Sequence, residues 1–400
     1  MKSKFSVSIK GKIKKFNKVI NVESDKSITH RALLIASQCI GPSVLKNILE
    51  SDDTNNTISC LKKLGIKIIK KNKKYIVFGN GIGSFIEPRD KKLYAGNSGT
   101  LARMLIALLA THPNLKVKVI GDDSLNKRDM NRIIKPLSKI GCNFYPKGKT
   151  NLPLIIEGTN LPLAQVHSET IGSAQVKSAI LLAALNTPGI TTIKEEKKSR
   201  NHTENILTSI KADIKIKKSK NSNLILLRGQ KNLPGFNLQV PGDPSSAAPF
   251  IALALLTKGS KLLIKDINCS VTRLGYVKIL KKMNAYIKIK NLKIKSGEPI
   301  GDILIKSSSL RAIRCPKKFV PAAIDEFPLL FIIASITKGT TTFSGINELR
   351  HKESDRIKSM EVGLNQIRIK TKSTLNSLKI FGKPNIKINK TIKIFPKNDH

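Results

Sequence analysis

Two short phrases alternate along the 400-residue chain, and their spacing limits the fold more than any single motif does. The first joins an apolar helical tail, a small or polar turn residue and a run of period-two alternation. Its copies are LKKLGIKIIK from Leu61, LSKIGCNFYP from Leu137, LTSIKADIKIKK from Leu207, LKKMNAYIKIK from Leu280 and VGLNQIRIKTK from Val362. Such a change of period marks a helix handing over to a strand. The second phrase reads as a turn, a short strand and a polar loop leading into a new helix. Its copies are GPSVLKNILESDDT, NLKVKVIGDDSLNKR, GITTIKEEKKSRNHT, GSKLLIKDINCSVTR and GTTTFSGINELRHKESDR, beginning at Gly41, Asn114, Gly189, Gly259 and Gly339, which is 73, 75, 70 and 80 residues apart. The chain is therefore an array of α/β units of about 75 residues, five of them visible.

A chain of this length exceeds one ordinary core, so two domains are expected. The stretch NLPGFNLQVPGDP from Asn232 to Pro244 is rich in Pro and Gly, as expected of a crossover. One domain is placed at 22–235 and the other at 236–400 together with the N-terminal strands, 1–21.

The second phrase ends each time in a polar cluster at an expected helix start, where free N–H groups and the helix dipole favour anions. Asp52, Asp53 and Thr54 end the first copy, and Arg128, Arg200, Arg273 and Arg356 end the others. The recurrence stands out because arginine is scarce: of 72 Lys and Arg only 13 are Arg. Helix-end packing is the alternative.

The net charge of +45 would suit a polyanion. The lysines, however, run through every segment, and aromatics are only 4% with no Trp, so stacking platforms for nucleic acid are scarce. The balance suits acidic small substrates. Five cysteines, odd in number and without a CxxC pair, indicate reduced thiols in a cytoplasmic setting. The six histidines form no metal-binding motif. No apolar run reaches membrane length, and the N-terminus lacks a signal-peptide core.

Several stretches carry chemistry. In ESDKSITHRALLIAS, Ser24 or Asp25 can cap a helix whose first turn holds Lys26 and Ser27, with Arg31 one turn along the same face, a plausible phosphate or carboxylate cradle. In YAGNSGTLARMLIALLA, Gly96, Asn97, Ser98, Gly99 and Thr100 form a tight polar turn into an apolar helix, open to close approach by a ligand. SLNKRDMNR offers Lys127, Arg128 and Arg132; GSAQVKSAILLAAL starts a buried-looking helix with Ser173, Gln175 and Lys177; SRNHTE adds Arg200. In PAAIDEFPLLFIIAS, Asp325 and Glu326 precede a very apolar helix, and a carboxylate among lysines and arginines suits a base. RHKESDR, from Arg350 to Arg356, packs three fixed cations, two carboxylates and a histidine into seven residues. On a helix its Lys352 and Glu353 lie near Arg356, so a proton donor can stand beside a doubly anionic substrate. Each stretch also has an ordinary reading as a helix cap, a turn or a solvated face.

Together these stretches resemble the EPSP synthase (3-phosphoshikimate 1-carboxyvinyltransferase) family. The motifs DKSITHR, GNSGT, KRDM, GSAQVKSAILLAALNTPGITT, SRNHTE, VPGDPSSAA, IDEFP and ELRHKESDR occur in the family's order over essentially the whole chain. The resemblance implies a two-domain inside-out α/β barrel of repeated βαβαββ units. It implies enolpyruvyl transfer from phosphoenolpyruvate to the 5-hydroxyl of shikimate 3-phosphate through a tetrahedral intermediate, with release of phosphate and without metal or organic cofactor. By motif, Lys26, Ser27, Arg31, Ser173, Ala174, Gln175, Arg200, Asp325 and Lys352 would contact shikimate 3-phosphate. Lys26, Asn97, Gly99, Arg128, Gln175 and Arg356 would hold phosphoenolpyruvate. Asp325 would be the base for the attacking hydroxyl and Glu353 the proton donor to the methylene carbon, a role for which Lys26 also stands as candidate. A cytoplasmic monomer is expected.

Three departures matter. Asp129 stands where the family usually has Pro, an anion expected to weaken phosphoenolpyruvate binding. Gly99 stands where some members carry the Ala linked to glyphosate tolerance, so a glyphosate-sensitive enzyme is expected. The family continues into FxxxDHRIAM and a later lysine, and its fold wants six units, so the chain is expected to be a fragment of a longer frame with low activity and an incomplete C-terminal unit. The nearest enzyme alternative acts on a UDP-linked amino sugar, but it has Lys-Asn in place of Lys26-Ser27 and lacks KESDR. An inactive basic nucleic-acid-binding fragment is the alternative of another class.

Overall fold

The computed structural model describes residues 11, 13–220, 222–352, 354–386 and 391–392. After β1 (Asn17–Ile20), a first unit runs α1 (Lys26–Ser37), β2 (Ile40–Lys46), α2 (Asp52–Lys63), β3 (Lys67–Lys71) and β4 (Lys74–Asn80). The second comprises β5 (Lys92–Tyr94), α3 (Gly99–Ala110), β6 (Lys116–Ile120), α4 (Asn131–Lys139), β7 (Asn143–Tyr145) and β8 (Leu154–Glu157). The third comprises β9 (Val166–Glu169), α5 (Ala174–Leu185), β10 (Ile190–Glu195), α6 (His202–Ser209), β11 (Ile214–Lys218) and β12 (Asn223–Arg228). Then come β13 (Asn237–Gln239) and a fourth unit: α7 (Pro244–Leu256), β14 (Lys261–Asn268), α8 (Gly275–Lys282), β15 (Tyr286–Lys295) and β16 (Glu298–Lys306). The fifth holds α9 (Phe327–Ser335), β17 (Gly339–Ser344), α10 (Arg356–Gln366), β18 (Thr371–Thr374) and β19 (Ser377–Gly382).

All ten phrase copies fall where a helix hands over to a strand or a strand to a helix. The handover residue has a positive φ in every unit: Gly65, Gly141, Lys211, Asn284 and Arg368, at +89°, +107°, +60°, +73° and +59°. That conformation ends the helix and turns the chain back into a strand. A second device was not read from the sequence. In four units the outgoing strand carries a glycine against the C-terminal carbonyls of the unit's first helix. A Cβ on Gly79, Gly158, Gly229 or Gly382 would lie between 1.9 and 2.3 Å from the carbonyl oxygen two residues past the helix end, that of Cys39, His112, Thr187 or Thr337, so helix and sheet close without a side chain between them.

Each unit makes one open sheet with one topology: a parallel edge strand, a central strand, then an antiparallel hairpin. The orders are β13-β2-β4-β3, β5-β6-β8-β7, β9-β10-β12-β11, β1-β14-β16-β15 and β17-β19-β18, the last with a single parallel bridge, Arg314 to Thr342, in the edge position. In units two and three the edge strand is local. The first unit instead borrows β13, and the fourth borrows β1.

The first helix of each of the first three units is enclosed. Ten of the twelve residues of α1, of α3 and of α5 are buried, so these helices are apolar nearly all round. The second helices are amphipathic and lie outside, α2 burying only four residues. Two hydrophobic cores result, one from Ile28 to Val240 and one from Ala247 to Ile380. Among the described residues no helix is long and apolar enough to cross a membrane.

Candidate active site

Helices α1, α3, α5 and α10 each start at a side-chain cap. Asp25, rather than Ser24, caps α1 by accepting the Ile28 amide hydrogen at 2.9 Å; Ser98 caps α3, Ser173 caps α5 and Asp355 caps α10. The turn before α3 needs glycine at Gly96, where φ is +58° and a Cβ would meet Asn56 Nδ2 at 2.2 Å. That turn presents Asn97, whose amide Nδ2 donates to Asp122 Oδ2 at 2.7 Å and whose Oδ1 accepts from Arg128 Nη2 at 2.6 Å. Gly99 leaves room for two guanidinium groups: a Cβ there would lie 2.7 Å from Arg103 Nη1 and 3.3 Å from Arg128 Nη1. Gln175, at the start of α5, accepts from Arg103 Nη1 at 2.6 Å and donates to Thr100 Oγ1 at 2.9 Å. Two cations and two amides thus surround a backbone turn at a helix N-terminus, the arrangement that holds a phosphate or carboxylate.

A second cluster crosses between the two cores. Asp325 forms a hydrogen-bonded ion pair with Arg200, lies 3.2 Å from Lys352 Nζ and 3.8 Å from Arg356 Nη1. Burial alone would raise the Asp325 carboxyl, but the Arg200 and Lys352 cations and the Arg200 hydrogen bond hold it well below the usual carboxylate range. Lys26 Nζ sits 3.0 Å from Asp53 Oδ2, and farther out Arg132 reaches Glu348 at 3.8 Å. The proton donor expected at Glu353 lies outside the described residues. The Asp129 carboxylate accepts the Asn131 amide hydrogen at 2.9 Å, serving the start of α4.

Beneath these groups lies a buried polar layer. Arg31 is only 2% exposed, and its nitrogens donate to Ser27 O (2.9 Å), Thr203 Oγ1 (2.9 Å) and Ser178 Oγ (2.9 Å), tying α1 to α5 and α6. Lys177, on the apolar helix α5, is fully buried between Glu195 (2.6 Å) and Glu204 (2.7 Å). Glu195 also accepts from Ser199 N at 2.9 Å and Ser199 Oγ at 2.7 Å, anchoring the loop that carries Arg200. Glu169 Oε1 accepts three backbone amides, Ile171, Gly172 and Ser173, at 3.1–3.2 Å, fixing the approach to Ser173, Ala174 and Gln175.

His30 joins α1 to Thr57 of α2, its Nδ1 at 2.8 Å, and lies 3.4 Å from Ser98 Oγ. Burial lowers its pKa from 6.5 to about 3. The folded protein therefore keeps His30 neutral while the unfolded chain protonates below pH 6.5, so stability is lost as pH falls from 6.5 towards 3. At pH 5 the loss from this one group is about 2 kcal/mol. Urea unfolding of the wild type and His30→Gln at pH 7 and pH 5 checks this: the variant is expected to lose less stability between the two by about that amount.

The structure joins Asn97, Arg128, Gln175 and the Gly99 turn in one group, through Arg103, and Arg200, Asp325, Lys352 and Arg356 in another, while Lys26 pairs with Asp53, and Ser27, Ser173 and Ala174 lie at the starts of α1 and α5. It places Arg31 below them. Arg103 escaped the sequence reading, although it sits four residues after Gly99 and hence on the same helix face. Lys177 belongs to the supporting layer.

Residues 10–392 match the family described as EPSP synthase (3-phosphoshikimate 1-carboxyvinyltransferase). A 3-phosphoshikimate 1-carboxyvinyltransferase of Petrotoga mobilis is 42% identical over 388 residues, 96% of this chain and 88% of that protein. One of Endomicrobium trichonymphae is 43% identical, covering 87% of this chain and 81% of that protein. Among solved structures, an EPSP synthase from Acinetobacter baumannii superposes with a TM-score of 0.82 at 38% identity, covering 93% of this chain and 83% of that one. The enolpyruvyl transferase NikO from Streptomyces tendae has the same fold, with a TM-score of 0.69 at 11% identity over 92% of this chain and 83% of that one. The chain belongs to the EPSP synthase family.

Proposed function

We propose that the protein transfers the enolpyruvyl group of phosphoenolpyruvate to the 5-hydroxyl of shikimate 3-phosphate and releases phosphate. The observation that carries this is Asp325, a carboxylate set among Arg200, Lys352 and Arg356. Both substrates are phosphorylated and one adds a carboxylate, so cations from both halves are needed to bring them together.

Asp325 takes the proton of the attacking hydroxyl while that oxygen bonds to C2 of phosphoenolpyruvate, and Glu353 gives a proton to the methylene carbon. The tetrahedral intermediate then loses phosphate, and the methyl carbon returns its proton as the double bond reforms. Lys26, Ser27, Ser173, Ala174, Gln175, Arg200 and Lys352 hold shikimate 3-phosphate, with Arg31 giving up its contacts to Ser178 or Thr203 if it reaches the ligand directly. Lys26, Asn97, Gly99, Arg128, Gln175 and Arg356 hold phosphoenolpyruvate. A division into two domains, 22–235 and 1–21 plus 236–400 except that β13 and Val240 pack with the first, and a monomer in the cytoplasm, are parts of the same proposal. Five buried, unpaired cysteines agree with a reducing compartment.

Gly99→Ala tests the phosphoenolpyruvate site. The new methyl pushes on the Arg103 and Arg128 guanidinium groups, so the KM for phosphoenolpyruvate is expected to rise about tenfold, a loss of roughly 1.4 kcal/mol. Inhibition by glyphosate, expected of the wild type, is expected to weaken by more than that. Steady-state kinetics decide, and an unchanged KM and unchanged inhibition would count against the assignment.

A further inference from the structure

One of the recurring arginines has no place in the proposed reaction. Arg128, Arg200 and Arg356 of units two, three and five reach the site, whereas Arg273, at the same place in unit four, turns inward and is 2% exposed. Its Nη1 lies 3.1 Å from Asp25 Oδ2, its Nη2 lies 2.5 Å from Asp243 Oδ1, and Nη2 donates to Ser245 Oγ at 3.0 Å. Ser245 Oγ in turn donates to Glu326 Oε1 at 2.5 Å.

These partners lie where the chain crosses between the halves. Asp25 caps α1 and Asp243 caps α7. The two crossing segments run side by side: Asp25 N donates to Pro241 O and Asp243 N to Glu23 O, both at 2.8 Å, with a bridge from Ser24 to Gly242. Asp243 Oδ2 also accepts the Lys26 amide hydrogen at 3.3 Å. On one side, then, Arg273 fixes the first turn of α1, which bears Lys26 and Ser27. On the other, through Ser245, it reaches the residue next to Asp325. Arg273 Nε, Arg273 Nη1 and Asp25 Oδ2 lack an aligned hydrogen-bond partner among the described residues, so the Asp25 contact is held by charge more than by direction. Such a joint tolerates small rotation.

We propose that Arg273 is a positioning residue that sets Lys26 of one half against Asp325 of the other, with Ser245 and Glu326 as the link to Asp325. This rests on the function proposed above. A buried carboxyl suits the link: burial and then the Asp325 charge push Glu326 up to about 7, while Arg273 and Arg200 draw it down.

Arg273→Lys keeps the charge but loses the fork that spans two carboxylates. Its kcat per folded molecule is expected to fall by about 10²-fold, the scale of an ångström-sized misplacement. Shikimate 3-phosphate, most of whose proposed contacts lie on one half, is expected to bind within about threefold of wild type. Ser245→Ala cuts only the link and is expected to lower kcat about tenfold with little change in Tm, while Ser245→Thr, which restores the hydroxyl, recovers it. Wild-type kcat per folded molecule in Arg273→Lys and Ser245→Ala overturns the inference. So does a loss in Ser245→Ala that Ser245→Thr does not restore. Should Arg273→Lys fail to fold, the Ser245 pair decides by the same criteria. An inactive wild type would instead refute the proposed function.

Discussion

Asp325→Asn is expected to lower kcat by about 10²–10⁴-fold, the usual contribution of a positioned general base, while KM for shikimate 3-phosphate stays level or falls. The second half of that expectation separates a base from a ligand contact. Asp325 neutralises Arg200, Lys352 and Arg356 within the protein. An amide would leave those cations free for substrate phosphate, so ground-state binding should not weaken even as chemistry stops. A raised KM with unchanged kcat would make Asp325 a binding group only.

The same ion pairs predict a pH signature. A carboxylate held well below its ordinary range is a weak base. When substrate anions engage the surrounding cations, their pull on Asp325 drops and its pKa rises. Activity needs the ionised form, so rate falls on the acid side, and it falls at higher pH in the complex than in the free enzyme. The acid limb of kcat is therefore expected above that of kcat/KM.

Lys177→Met is expected to cost about 3–5 kcal/mol of stability, because it leaves the carboxylates of Glu195 and Glu204 buried without their cation. The sign of its pH dependence is fixed by the same burial. Without the Lys177 cation, burial raises the Glu195 carboxyl above its unfolded value, so the variant's stability is retained below that unfolded value and declines as pH rises through the folded one. Urea unfolding at pH 5 and pH 8 should show the larger deficit at pH 8. An equal deficit at both would mean the cost is lost packing. Because Glu195 also holds Ser199, kcat per folded molecule should drop as the Arg200 loop loosens.

How much of this was legible in the sequence depends on whether the cause was local. Every handover from helix to strand was readable from its change of period, whereas the left-handed residue that makes it, plain enough as Gly65, Gly141 or Asn284, was not legible at Lys211 or Arg368. The borrowed edge strands were not: Asn237–Gln239 joins β2 across nearly the whole first half, and nothing in three residues encodes that partner. The helix starts of the site were legible as caps and cations. Their depth was not, since KSITHR fixes the spacing of Lys26, Ser27 and Arg31 but not which side of α1 faces α5 and α6. The recurring arginine shows the same limit. Position within the unit was encoded, but the inward turn of Arg273 follows from where unit four meets the crossing segments.

The most direct test is to incubate the purified chain with shikimate 3-phosphate and phosphoenolpyruvate and to follow phosphate release and the organic product by ³¹P NMR and mass spectrometry. The expected result is one phosphate released for each 5-enolpyruvyl ether formed, strictly dependent on both substrates and slowed by at least about 10²-fold in Asp325→Asn. A folded chain that releases no phosphate from the pair, or that transfers the enolpyruvyl group to a UDP-linked amino sugar instead, would contradict the account.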